Sequence, residues 1–168
     1  MSQDLDPSTA LLTRWLEQYE ALIYRVVLSY ASDVASQQDL FQEIAVALWR
    51  SIHRFQHQAK ESTWIYRVAI NAAIDFARKG SRTPPTTSYD ESEHWVSITP
   101  PSDDLAWVYE KIRALAPIDR SLMLMHLDGY PYQEIATVLG ITESAVGVKI
   151  NRVKKQLKAL FDKEAHTT

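Results

Sequence analysis

Residues 132–151 read YQEIATVLGITESAVGVKIN, and this stretch decides the class of fold. Ile135, Ala136 and Leu139 fall on one face of a first helix, and the small Ala136 lets a second helix approach closely. Gly140 stands where that helix must stop and the chain turn through left-handed backbone. The Thr142 hydroxyl is placed to cap the helix that follows. Val146, Ile150, Val153 and Leu157 then recur at spacings of four, three and four, which is one buried face of a second helix. Two helices joined by a tight turn, the second of them basic, are the plan of a helix-turn-helix DNA reader. An ordinary helical hairpin inside a globular core needs no basic second helix.

The cations extend beyond that stretch. Lys149, Arg152, Lys154, Lys155 and Lys158 occur with no acid among them, although the whole chain carries a net charge of −3. A solvated face is the ordinary meaning of such a run, but on the second helix of a helix-turn-helix it faces phosphate. An acidic chain with one basic helix points to DNA binding assisted by a larger complex. Opposite the buried stripe of this helix lie Ser144, Val148, Asn151, Arg152 and Lys155, the side chains expected in a major groove. Asparagine pairs with adenine edges and arginine with guanine, while Val148 can touch only apolar surface such as a thymine methyl.

Working outward, the 168 residues are 46% hydrophobic with only four glycines. Helix-period patterning dominates, so the expected fold is all-α: two small helical domains joined by a flexible linker, the C-terminal one a helix-turn-helix. A single apolar stripe runs through Leu12, Trp15, Leu16, Tyr19, Leu22, Ile23, Val26, Val27 and Tyr30. A second helix is expected over about 36–53, burying Leu40, Phe41, Ile44, Leu48, Trp49 and Ile52. A third is expected over about 62–79, with Ile65, Val68, Ala69, Ala72 and Phe76 on one face. These give a three-helix domain over 8–80. Residues 81–102 have linker composition, with Pro84, Pro85, Pro100, Pro101 and the acidic 90–93, and with Trp95, Val96 and Ile98 able to dock transiently. The second domain is expected over 103–162. Leu105, Val108, Ile112 and Leu115 form its first helix, Pro117 opens the next, Gly129 ends it, and a polar frayed tail follows Phe161.

Several classes of function are excluded. With no cysteine there are no disulfides, thiolate metal sites or cysteine nucleophile, which fits a reducing cytoplasm. No signal peptide or membrane-spanning run is visible. There is no glycine-rich phosphate loop, nucleophile elbow or paired-carboxylate constellation, so no catalytic residue, metal or cofactor is expected. His53 and His57 are four apart, but the residues between them offer no general base and no third ligand is apparent. Asp39 and Glu43 sit at the polar edge of an apolar helix and suit a protein contact better than acid-base work. On the third helix Arg67, Asn71, Ile74 and Arg78 share the face away from Ile65 and Val68, which suits contact with phosphates or bases, although the ordinary meaning of such a face is a solvated one. Phe55, in a polar loop just before it, is either an exposed ring that stacks on an unpaired base or a plug against Trp49 or Trp64.

Both halves together resemble a known family. Residues 39–43 (DLFQE), Leu48-Trp49, Phe55, 63–71 (TWIYRVAIN) and 73–75 (AID) look like conserved region 2 of bacterial sigma factors. Residues 115–160 look like region 4. The absence of a further domain between them is similar to the extracytoplasmic-function group of the sigma-70 family. The resemblance implies that Asp39, Gln42 and Glu43 grip the clamp helices of the polymerase β′ subunit. It implies that Phe55 and Asn71 help capture a flipped base of the promoter −10 element, with Arg67, Arg78 and Lys79 supporting the same strand. It further implies that the second domain binds the β flap and reads the −35 element through its helix-turn-helix, with Ser144, Val148, Lys149, Asn151, Arg152 and Lys155. An anti-sigma factor is an implied partner. The chain departs from the family at Gly147 and Val148, where relatives often carry Arg, Lys or Ser. Gly147 costs roughly 1 kcal/mol of helix propensity against alanine, and its bare backbone is able to approach DNA closely. The runner-up function is a stand-alone helix-turn-helix regulator, which leaves 39–43 without a role. A helical partner-sequestering protein and a metal-dependent enzyme are weaker still.

Overall fold

The computed structural model of the protein describes residues 6–80 and 102–167. The linker expected over 81–102, with the docking of Trp95, Val96 and Ile98, lies outside the described residues apart from Ser102. That residue belongs to the following helix, which it caps by accepting a hydrogen bond from Leu105 N at 3.3 Å. Among the described residues there are only helices and turns. The chain divides into two compact units, Met1–Pro101 and Ser102–Thr168.

The first unit contains α1 (Pro7–Gln18), α2 (Glu20–Tyr30), α3 (Val34–Ser51), a short 3-10 turn (Ile52–Arg54) and α4 (Glu61–Gly80). Helix α3 packs along α4 and α2, α4 also lies on α2, and α1 closes over α3. Trp15, Ile23, Val26, Leu40, Ile44, Leu48, Ile65, Tyr66 and Ile70 are sealed inside. The single apolar stripe expected over 12–30 is two helices, broken at Tyr19 (φ −109°, ψ 19°). Apolar spacing stays in phase across this one-residue break, so periodicity does not reveal it. A tertiary contact fixes the site of the break. The Tyr19 hydroxyl donates to Glu61 at 3.2 Å, and Glu61 also takes both terminal nitrogens of Arg14. The Arg14 guanidinium holds the Glu61 carboxyl down at about 2, so the clasp between α1 and α4 stays charged at any physiological pH.

Two buried faces differ from expectation. Helix α3 begins at Val34, two residues early, because Asp33 caps it by accepting from Ser36 N at 2.9 Å. Its Trp49 is 40% exposed instead of buried. Helix α4 buries Ile65, Tyr66, Ala69, Ile70 and Ala73, while Val68, Ala72 and Phe76 lie half-exposed at the edge. An apolar stripe on a helix that meets two neighbours is wide, and hydropathy alone does not fix its centre.

The second unit contains α5 (Asp103–Arg113), α6 (Pro117–Leu127), α7 (Tyr132–Leu139) and α8 (Glu143–Ala165). Its core is Ile112, Leu122, Leu124, Met125, Ile135, Val146, Ile150 and Val153. Pro117 opens α6. Gly140 ends α7 with φ 68°, and Thr142 caps α8 by accepting from Ala145 N at 3.1 Å. On α5 the buried residues are Tyr109 and Ile112, whereas Leu105 is 42% exposed. The tail is not frayed from Phe161: α8 continues to Ala165. Phe161 packs edge-on against Trp107, and Glu164 accepts from Trp107 Nε1 and Lys111. The partners that hold this tail are more than 50 residues away in sequence, beyond the reach of any local pattern.

Candidate nucleic-acid interface

In the first unit the inner faces of α3 and α4 are packed and their outer faces are open. On α3, Asp39, Gln42 and Glu43 are all exposed. One and two turns further along the same face stand Val46, 47% exposed, and Trp49. The sequence reading placed Trp49 in the core and did not single out Val46. Their signal was phase, since both follow Asp39 at helical spacing, but a lone valine or tryptophan counts as apolar in any pattern. The result is a surface with two carboxylates at one end and apolar contact area at the other, which suits a protein partner better than DNA.

The outer face of α4 carries Arg67, Asn71 and Arg78 exposed, with Lys79 beside them. Arg67 and Asn71 are one turn apart, and Arg78 stands two turns beyond Asn71. Asp75 lies on the same helix and meets Arg78 at 3.8 Å. With Lys79 beside that pair, both ends of the face keep a net positive charge. An exposed stacking ring at Phe55 is not what the fold gives. Phe55 is 9% exposed, edge-on to Trp15 at 5.5 Å and tilted against Trp64 at 5.6 Å. Burial of a large ring outweighs its solvation in a polar loop, so Phe55 is a plug, against Trp64 and Trp15 instead of Trp49. His57 follows in left-handed backbone, φ 56°, with its ring 4.5 Å from that of Phe55. His53 and His57 join no metal-binding group of three His, Cys, Asp or Glu among the described residues.

In the second unit α8 presents Ser144, Val148, Asn151 and Lys155 to solvent, Val148 at 69% exposed. At 100° per residue, Arg152 and Gly147 stand about 70° to either side of the centre of that face. Arg152 is turned towards α6, where its Nη2 donates to both oxygens of Asp119 at 3.2 and 3.0 Å. Lys149 is not on the outward face; it is half-buried and bonds the same carboxylate at 3.4 Å. Asp119 was not singled out from the sequence, since an acid in the first turn of a helix has an ordinary dipole role.

Gly147 lies against a side chain of another helix, but that packing does not require a glycine. A Cβ there would lie 3.5 Å from the Tyr132 ring, so the bare backbone sits under a side chain of α7. That distance is ordinary contact. Replacing Gly147 by alanine is therefore expected to stabilise the protein by about 0.5–1 kcal/mol, read as a higher unfolding midpoint in urea, with promoter binding unchanged. Loss of promoter binding with the fold intact would instead restore the expectation that DNA approaches the backbone at this glycine.

The comparisons with known proteins agree with this division. Residues 15–83 match sigma-70 region 2 and residues 105–157 match sigma-70 region 4. The chain is 33% identical over 135 residues to the RNA polymerase sigma factor HrpL of Pseudomonas syringae pv. syringae, covering 74% of this chain and 72% of that protein. It is 28% identical over 154 residues to the ECF sigma factor SigX of Bacillus subtilis, covering 84% and 79% of the two chains. Against the ECF sigma-E factor of Escherichia coli it is 27% identical over 162 residues, covering 88% and 82%. The fold is shared with the sigma factor RpoE of Bartonella quintana, solved with the anti-sigma factor NepR. There the TM-score is 0.68 at 16% identity, covering 89% of this chain and 96% of that one. It is also shared with CnrH, solved with the cytosolic domain of CnrY, with a TM-score of 0.66 at 20% identity and coverage of 92% and 89%. The protein belongs to the sigma-70 family of RNA polymerase sigma factors, in its extracytoplasmic-function group.

Proposed function

We propose that the two units, 8–80 and 103–162, divide the work of promoter selection and that the chain contributes no catalysis of its own. The outer face of α3, with Asp39, Gln42 and Glu43, is assigned to the β′ clamp helices of core polymerase. Val46 and Trp49 extend that contact with apolar area. The outer face of α4 is assigned to the −10 element: Asn71 to a base turned out of the stack, and Arg67, Arg78 and Lys79 to the strand that carries it. Phe55 supports this site from beneath, as part of the wall formed with Trp15 and Trp64, and does not itself stack on a base. Ser144, Val148, Asn151, Arg152 and Lys155 of α8 are assigned to the −35 element, and the second unit also to the β flap. Lys149 supports the same duplex from the flank. The observation that carries this reading is that α3 and α4 pack together while their outer faces stay open with opposite chemistry, acidic and apolar on one, basic and polar on the other.

The mechanism follows from charge and geometry. A chain of net charge −3 with only short basic patches binds duplex DNA weakly when alone. Holding both units on polymerase makes the second DNA contact intramolecular and raises its effective concentration. Taking a base out of the stack costs a few kcal/mol, offset by hydrogen bonds that form only with the extruded base. We extend to this chain an anti-sigma factor as a further partner, on the likeness to the two solved complexes, and cytoplasmic action alongside polymerase. No described helix is long and apolar enough to cross a membrane. The test is reconstitution. The purified chain should bind core polymerase and direct run-off transcription from a subset of genomic fragments. Specific duplex binding without polymerase, and none of it enhanced by core, would favour the stand-alone regulator instead.

A further inference from the structure

The carboxylate of Asp119 is the one acid that faces the basic flank of the recognition helix among the described ion pairs of α8 with α6. It lies in the first turn of α6, its side chain only 14% exposed. It accepts from Arg152 Nη2 with both oxygens, at 3.2 and 3.0 Å, and from Lys149 Nζ at 3.4 Å. Arg152 itself remains 52% exposed. One terminal nitrogen is thus anchored, while Nη1 and Nε make no described hydrogen bond and keep their donors for something outside the chain. A guanidinium is a planar fork of five donors. Fixing one corner of the fork removes the freedom of a long side chain and leaves the Nη1 donors at one angle to the groove-facing surface.

We propose that Asp119 is a positioning residue for promoter recognition, a carboxylate on α6 that orients Arg152 for a guanine edge at the −35 element. This rests on the assignment of Arg152 to that element. Pre-orientation lowers the entropy lost when the arginine engages a base. The arginine end of the pair is half-exposed and the carboxylate end mostly buried, so removing Asp119 carries a modest stability cost, which the unfolding controls read separately from recognition.

The test is a double-mutant cycle in reconstituted holoenzyme. The probe is a genomic promoter fragment recovered by run-off transcription, together with copies in which each −35 base pair is changed in turn. The readout is the ratio of affinities for matched and changed sites. Arg152→Ala is expected to lower that ratio about tenfold at one base pair. Asp119→Ala is expected to lower it about fivefold at the same base pair and to have no further effect when Arg152 is already alanine. Asp119→Asn, which keeps one acceptor oxygen, should fall between. The unfolding temperatures should fall by no more than about 8 °C; if Asp119→Ala does not fold, the Asn variant carries the cycle. If Arg152→Ala leaves the ratio unchanged, Arg152 reads no base of the −35 element and the proposal is overturned; a uniform loss of affinity at every site would make it a phosphate contact. If Arg152→Ala lowers it but Asp119→Ala does not, Arg152 reads DNA unaided and Asp119 has no positioning role. An equal loss from Asp119→Ala in both backgrounds would mean that it acts through helix packing. Tighter binding would mean that it competes with DNA for the arginine. Either result overturns the proposal.

Discussion

Replacing Asp39 and Glu43 together by lysine is expected to weaken binding to core polymerase about a hundredfold, while leaving the fold unchanged. Both residues are exposed on the outer face of α3, so the substitution touches no buried group, and surface changes of this kind stay within about 0.5 kcal/mol of native stability. At an interface the effect is larger. Two attractive charges become two repulsive ones, and a central position in a protein contact contributes about 2–4 kcal/mol, of which about 2.7 kcal/mol is a hundredfold in affinity. Trp49→Ala, at the apolar end of the same face, should cost about tenfold on its own. The measurement is core binding by the labelled chain, with circular dichroism and thermal unfolding as controls. Native affinity in the double lysine variant would remove the polymerase contact from this face and leave α3 as a solvated helix.

The second large effect is expected at Asn71. Asn71→Ala should slow promoter opening by about ten- to a hundredfold while changing initial duplex binding by less than about threefold. The exposed carboxamide offers both a donor and an acceptor, a match for a base edge that is accessible only once the base has left the stack. A pair of such hydrogen bonds contributes about 1–3 kcal/mol, and because they exist only in the opened state their loss appears in opening and not in closed-complex affinity. Permanganate reactivity of unpaired thymines, followed in time on a promoter bound by holoenzyme, reads the first quantity. Filter retention at low temperature reads the second. Equal losses in both would contradict base capture by this residue and make it a general phosphate contact. Phe55→Ala provides a contrast. Since Phe55 packs on Trp15 and Trp64, its removal should damage the unit itself and lower its unfolding temperature, as large-to-small changes in a core do.

Much of the architecture was legible in the chain before folding, because it is written in local chemistry. Gly140 and Thr142 mark the turn through backbone conformation and capping, and both act within a few residues of themselves. The same holds for Pro117 at the start of α6, and for the exposed polar positions Asp39, Gln42, Glu43, Arg67 and Asn71, which fall out of helical phase. What local pattern misplaced were the residues whose environment is supplied by a distant helix. Phe55 was a candidate stacking ring because its sequence neighbours are polar, yet Trp15 and Trp64 enclose it. Trp49 was counted as core because it is apolar, yet α1, α2 and α4 leave that face of α3 open.

By itself, then, the sequence determined that the chain is helical, where most of its helices start and stop, and which polar side chains point away from them, since backbone preference and helical period are properties of neighbours in the chain. The tertiary structure alone decided that Glu61 clasps α1 to α4, that Tyr132 covers Gly147, and that Asp119 holds Arg152 and Lys149. Those contacts join residues from 15 to 47 positions apart, a separation over which spacing carries no information and only the packing of one helix on another brings charge to charge.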